Sequence, residues 1–145
     1  MSGGNDMRAS LLVVVVIAAL GGLLFGFDTA VISGTDVALT AVFSLSAGGL
    51  GFTKASALIG TIFGAMLAGW PSDRYGRRAT LMLIAALYLV SAVGSAWAWD
   101  WYSFLAFRLL GGLGVGAASV VSPMYIAEIS PARVRGRMVA ITQFN

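Results

Sequence analysis

Two ionisable side chains stand inside apolar runs. Asp28 follows the apolar stretch 11–27 and precedes Thr29, Ala30, Val31 and Ile32, and Arg108 is the one charge in the stretch 104–126. A charge near the middle of a membrane-spanning helix costs roughly 2.5–3.5 kcal/mol on insertion scales unless it is neutralised, paired or turned toward water. A low dielectric disfavours the charged carboxylate and a nearby cation favours it. A carboxyl held between those two influences can take up and release a proton, and Arg108 is the natural partner of Asp28 for that chemistry. Two blander readings stay open. Asp28 could end a short helix near the surface, or Arg108 could snorkel to the headgroups from about 10 Å below Trp101 and Tyr102, at 1.5 Å per residue.

A second set of charges lies between the apolar runs. Gly69, Trp70, Pro71, Ser72, Asp73, Arg74, Tyr75, Gly76, Arg77 and Arg78 form a tight turn in which an acid precedes three arginines. Further on, Glu128 is followed by Pro131, Arg133, Arg135, Gly136 and Arg137. Membrane sidedness accounts for the arginines. It does not account for Asp73 and Glu128, which dilute the positive charge of those loops. Ion pairs between the two loops, able to form and break, do account for them.

These residues need elements to hold them, and composition selects the class. The chain is 59% hydrophobic and 10% charged, with a mean hydropathy of +0.90, so lipid must be the solvent for most of it. The net charge of +3 rests on basic residues too few and too localised for a nucleic-acid surface. Cysteine and histidine are absent, which removes disulfides, thiol catalysis, imidazole chemistry and the usual zinc ligands. No nucleophile–base constellation is visible. The sequence therefore reads as neither an enzyme nor a metal or cofactor protein.

Continuous apolar runs without alternation exclude a membrane barrel. The expected fold is an all-α membrane bundle within one unit, 1–145. It has four complete spans at 10–33, 54–71, 79–98 and 103–127, and the start of a fifth at 135–145. Residues 34–53, rich in Ser, Gly and Thr, read as a loop with a short helical extension around 37–43. Arg8, Arg74, Arg77, Arg78, Arg133, Arg135 and Arg137 then fall on one face, which the positive-inside rule makes cytoplasmic, with the N-terminus inside. Asp36, Lys54, Asp100 and an aromatic belt of Trp97, Trp99, Trp101 and Tyr102 fall on the other. The first apolar core exceeds a signal-peptide h-region, so a multi-pass protein of the inner (plasma) membrane is expected. The glycines at 111, 112, 114 and 116, and the stripe Gly60, Gly64 and Ala68, suit close helix packing better than a nucleotide loop. Asn145 falls inside an apolar segment, so the sequence reads as a piece of a longer chain.

Three ordered motifs resemble the sugar porters of the major facilitator superfamily. The first runs Gly21, Gly22, Leu23, Leu24, Phe25, Gly26, Phe27 and Asp28, then on to Ser33 and Gly34. The second is the loop from Gly69 to Arg78. The third joins Arg108, Gly112, Gly114 and Gly116 to Pro123, Tyr125, Glu128, Pro131, Arg135 and Gly136. Within the family the chain is similar to the bacterial D-xylose–proton symporter group. That resemblance implies the first helices of a twelve-helix transporter, with sugar bound between two six-helix halves. It also implies proton coupling at Asp28 with Arg108, sugar contact through Phe25 and Gln143, and gating by the loop residues, Gly69, Asp73, Arg74, Gly76, Arg77, Arg78, Glu128, Arg133, Arg135 and Gly136. The implied partners are a small sugar, protons, the bilayer and the remainder of the transporter. Asp28 in place of a neutral side chain argues for symport over uniport. A facilitative porter of a sugar or polyol, and a non-transporting membrane fragment, are the alternatives. Trp70 and Pro71 depart from the small and aliphatic residues common before the loop aspartate, which predicts a distorted helix end.

Overall fold

The computed structural model describes residues 26, 30–130, 132 and 135–141. Residues 30–34 are helical. They are followed by α1 (Asp36–Phe43), α2 (Ala47–Leu67), α3 (Gly69–Tyr75), α4 (Arg77–Ala96), α5 (Trp101–Ile129) and α6 (Arg135–Ile141). The described residues contain no strand. Three of the helices, α2, α4 and α5, are long and apolar enough to cross a membrane. At 1.5 Å per residue the 29 residues of α5 span about 44 Å, longer than a hydrocarbon core of about 30 Å.

The stretch 34–53 is more helical than its composition predicts. It holds all of α1 and the first two turns of α2, which starts at Ala47. Ser46 makes that start possible, because its hydroxyl accepts from the Gly49 N–H at 3.2 Å. Packing then overrides the low helix propensity of Gly48, Gly49 and Gly51. Thr53 is fully buried, and its hydroxyl accepts from the Trp101 indole N–H at 2.9 Å while donating to the Gly49 carbonyl at 2.8 Å.

At its other end α2 stops at Leu67 rather than near residue 71. Pro71 has no N–H to donate to the carbonyl of Leu67, four residues back, and its ring crowds that oxygen. The chain turns at Ala68 and restarts as α3. Gly76 then separates α3 from α4 at φ +84°, a conformation that disfavours any side chain. Its carbonyl accepts from the Thr80 N–H at 3.1 Å.

The centre of the bundle is α5, packed against α2 on one side and α4 on the other. The α2–α5 contact is backbone on backbone. A Cβ added at Gly60 would strike the Leu109 carbonyl and lie 3.0 Å from the Gly112 Cα. One at Gly64 would strike Leu113, one at Gly112 the Ala57 carbonyl, and one at Gly116 the Thr61 carbonyl. Glycine is required there by proximity, as is usual where lipid removes the hydrophobic drive between helices. Facing α4, the Ser91 hydroxyl donates to the Phe107 carbonyl at 2.6 Å. Ala68, Ile84 and Val121 form the buried apolar core, with Leu81, Tyr88 and Ala117 packed around it.

Candidate functional site

Charged residues of the two arginine-bearing loops meet at one end of the bundle. Arg77 opens α4 and reaches in two directions. Its Nε donates to Glu128 Oε1 at 2.9 Å, tying α4 to the last turn of α5. Its Nη1 donates to Asp73 Oδ1 at 2.8 Å and to the Ser72 carbonyl at 2.9 Å, tying α4 to α3. The Arg77 side chain is 23% exposed, against 52% for Glu128 and 73% for Asp73. The arginine is thus the least exposed member and the hub, and water reaches both carboxylates. Such a cluster can separate at modest cost.

Not every loop residue joins it. Arg74 lies over the Trp70 ring, 5.8 Å from its centroid, and Trp70 meets Tyr75 edge-on at 6.2 Å. Arg78, Arg135 and Gly136 are exposed, and neither Arg78 nor Arg135 enters an ion pair among the described residues. Gly69 begins α3 and Gly76 ends it. Arg133 lies outside the described residues, as do Phe25, Asp28 and Gln143.

Arg108 sits on α5 at the wall of a cavity of about 490 Å³. The cavity lies between residues 31–43, α4 and α5, and its lining includes Ile32, Thr35, Tyr88, Ser91, Ser95 and Phe104. Most of that wall is apolar, so the guanidinium works in a weakly screened environment where its field on any neighbouring group is strong. Tyr88, Ser91 and Ser95 share one face of α4, at i, i+3 and i+7. Sequence reading passed over all three, since single hydroxyls in an apolar helix carry no motif. It also placed Asp36 and Lys54 on one face without pairing them, yet Lys54 Nζ and Asp36 Oδ2 are 2.6 Å apart. A lone lysine at the head of an apolar run was the available signal.

The model of the "Sugar (and other) transporter" family matches residues 14–145. The chain belongs to that family. It is 46% identical over 157 residues to the D-xylose-proton symporter of Escherichia coli K12, covering 90% of this chain and 32% of the relative. Against the glucose transport protein of Synechocystis the identity is 47%, with 92% of this chain and 28% of the relative covered. A solved structure of the major facilitator proton:xylose symporter XylE, bound to 6-bromo-6-deoxy-D-glucose, matches with a TM-score of 0.86 at 44% identity, covering 94% of this chain and 34% of that one. XylE from E. coli in a partially occluded inward-open conformation gives 0.83 at 43%, over 92% and 38% of the two chains. The chain thus spans about a third of the length of the relatives it matches. These are membrane transporters and not enzymes, and this sugar porter chain shares their helical major facilitator fold.

Proposed function

We propose that the chain supplies the first helices of a sugar:proton symporter that carries a pentose or hexose by alternating access. The observation that carries the proposal is the placement of Arg108. A cation on a membrane-crossing helix lines a cavity inside the bundle, in a chain 46% identical to a D-xylose-proton symporter. In this reading Asp28 is the proton carrier. Its protonation releases Arg108 and permits the loaded protein to change face. Phe25 and Gln143 contact the sugar, which binds between this bundle and the rest of the transporter.

The Arg77, Asp73 and Glu128 cluster, with Gly69, Arg74, Gly76, Arg78, Arg133, Arg135 and Gly136 around it, acts as a gate that holds one of the two facing states. The arginine-rich end faces the cytoplasm of an inner-membrane protein, with the N-terminus inside. The test uses the full-length protein in energised vesicles. Asp28→Asn should abolish uphill sugar uptake and leave sugar exchange intact; uphill uptake that survives the substitution removes Asp28 from coupling. A facilitative carrier is the second reading, favoured by the 47% identity to a glucose transport protein. Uptake that a protonophore leaves unchanged would support it.

A further inference from the structure

The short helix α1 has no buried residue. It turns Ala38, Leu39 and Phe43 toward the cavity that Arg108 lines, while Val37 stands 83% exposed. Both of its ends are breaks in regular structure. Thr35 forms a turn before it, and residues 45–46 carry no helix after it. Ser44 adopts a left-handed φ of 51°, which a non-glycine residue holds only under constraint.

Among the described residues, two side-chain contacts fasten this segment to the rest of the bundle. The Phe43 ring lies 5.8 Å from Phe104 at the head of α5. Asp36 Oδ2 accepts from Lys54 Nζ on α2 at 2.6 Å. The pair is only partly shielded, with side chains 32% and 40% exposed, so water competes for the Lys54–Oδ2 contact, which can open and reclose, although Asp36 Oδ1 is shielded. A short helix between two breaks, held beside a cavity by a ring contact at one end and a separable ion pair at the other, has the parts of a hinged cover.

We propose that α1 is a lid over the Trp101 end of the Arg108 cavity, and that the Asp36–Lys54 pair is its latch. Breaking the pair admits water to the cavity wall. The proposal rests on the transport reading only for the lid's purpose, which is to govern access to the proton-coupling pair from that face. A pair this exposed biases an open–closed equilibrium by about two- to fivefold.

These 145 residues contain no cysteine, so once any cysteines in the remainder of the full-length protein are replaced, a single introduced thiol can report on the cavity. In the full-length, cysteine-free protein in membrane vesicles, Ser95→Cys places a small thiol on the cavity wall and Val37→Cys places one on the exposed face. The rate of modification by a membrane-impermeant methanethiosulfonate is then measured without sugar or a proton gradient. Asp36→Asn and Lys54→Gln should each raise the rate at position 95 by about two- to fivefold, with no change at position 37. The exchanged pair, Asp36→Lys with Lys54→Asp, should return it to the parent rate. Equal rates at position 95 in all variants, or a rise that the exchanged pair does not reverse, overturns the latch. This assay involves no transport, so its failure leaves the symport reading standing, and a failure of uphill uptake leaves the lid standing.

Discussion

Arg77 Nε and Glu128 Oε1 lie 2.9 Å apart, across 51 positions of sequence. The contact joins the first residue of α4 to the last turn of α5. Through Nη1 the same guanidinium also holds Asp73 and the Ser72 carbonyl of α3. One planar fork therefore fixes three helix ends, which a lysine with a single ammonium could not reproduce. Asp73 and Glu128, which dilute the positive charge of the loops in sequence, are both partners of Arg77 in space.

Because Arg77 serves three acceptors and Glu128 serves one, the two substitutions should differ. Arg77→Ala is expected to lower the melting temperature in detergent more than Glu128→Gln does. Arg77→Lys should fall between the parent and Arg77→Ala. A double-mutant cycle with Glu128→Gln should show non-additivity, and strict additivity would mean that the pair contributes nothing.

Glycine substitutions separate proximity from helix propensity. Gly64→Ala places a Cβ on the Leu113 backbone, which cannot rotate away, whereas Gly51→Ala meets nothing within 4 Å. The first should destabilise by about 1–3 kcal/mol. The second should be neutral or stabilise by up to about 1 kcal/mol. Unfolding titrations in mixed micelles give both signs, and equal effects would show that α2 and α5 do not touch there.

Thr53→Val removes the acceptor of the Trp101 indole N–H at nearly constant volume. The expected loss is about 0.5–1.5 kcal/mol. The loss should vanish in a Trp101→Phe background, where there is no indole donor to satisfy. A loss of the same size in both backgrounds would assign it to the Thr53–Gly49 bond instead.

Gln143→Ala tests the sugar contact. In the full-length protein, sugar binding measured by calorimetry should weaken by about 2- to 10-fold, the worth of one hydrogen bond. Unchanged affinity takes Gln143 out of the site.

Much of this was legible in the residues because membrane solvation constrains sequence so tightly. An uninterrupted apolar run such as 79–98 has few alternatives to a helix, since no backbone group in lipid can be left unsatisfied. The glycines at 60, 64, 112 and 116 announced close packing, though not which helix each would meet. The outcome for 34–53 was harder to read, because Gly, Ser and Thr favour loops locally. Helix there depends on Ser46 as a cap and on Thr53 buried under Trp101, and the second of these lies 48 positions away.

Two of the three prolines mark the same division. Pro71 and Pro123 are chemically equivalent, each lacking a donor for the carbonyl four residues back. Ahead of Pro71 the helix ends at Leu67 and restarts at Gly69, while α5 continues through Pro123. Buried residues flank both prolines, Val121 and Ile126 around Pro123 and Ala68 and Ser72 around Pro71, so the difference does not come from local burial. The residues alone establish that the chain is helical, that lipid surrounds it, and that it carries the sugar porter motifs. Each of those follows from local composition and spacing. Which charges pair, and where Arg108 faces a cavity, emerge from three-dimensional packing. Those depend on distances between residues far apart in the chain, which no local pattern encodes.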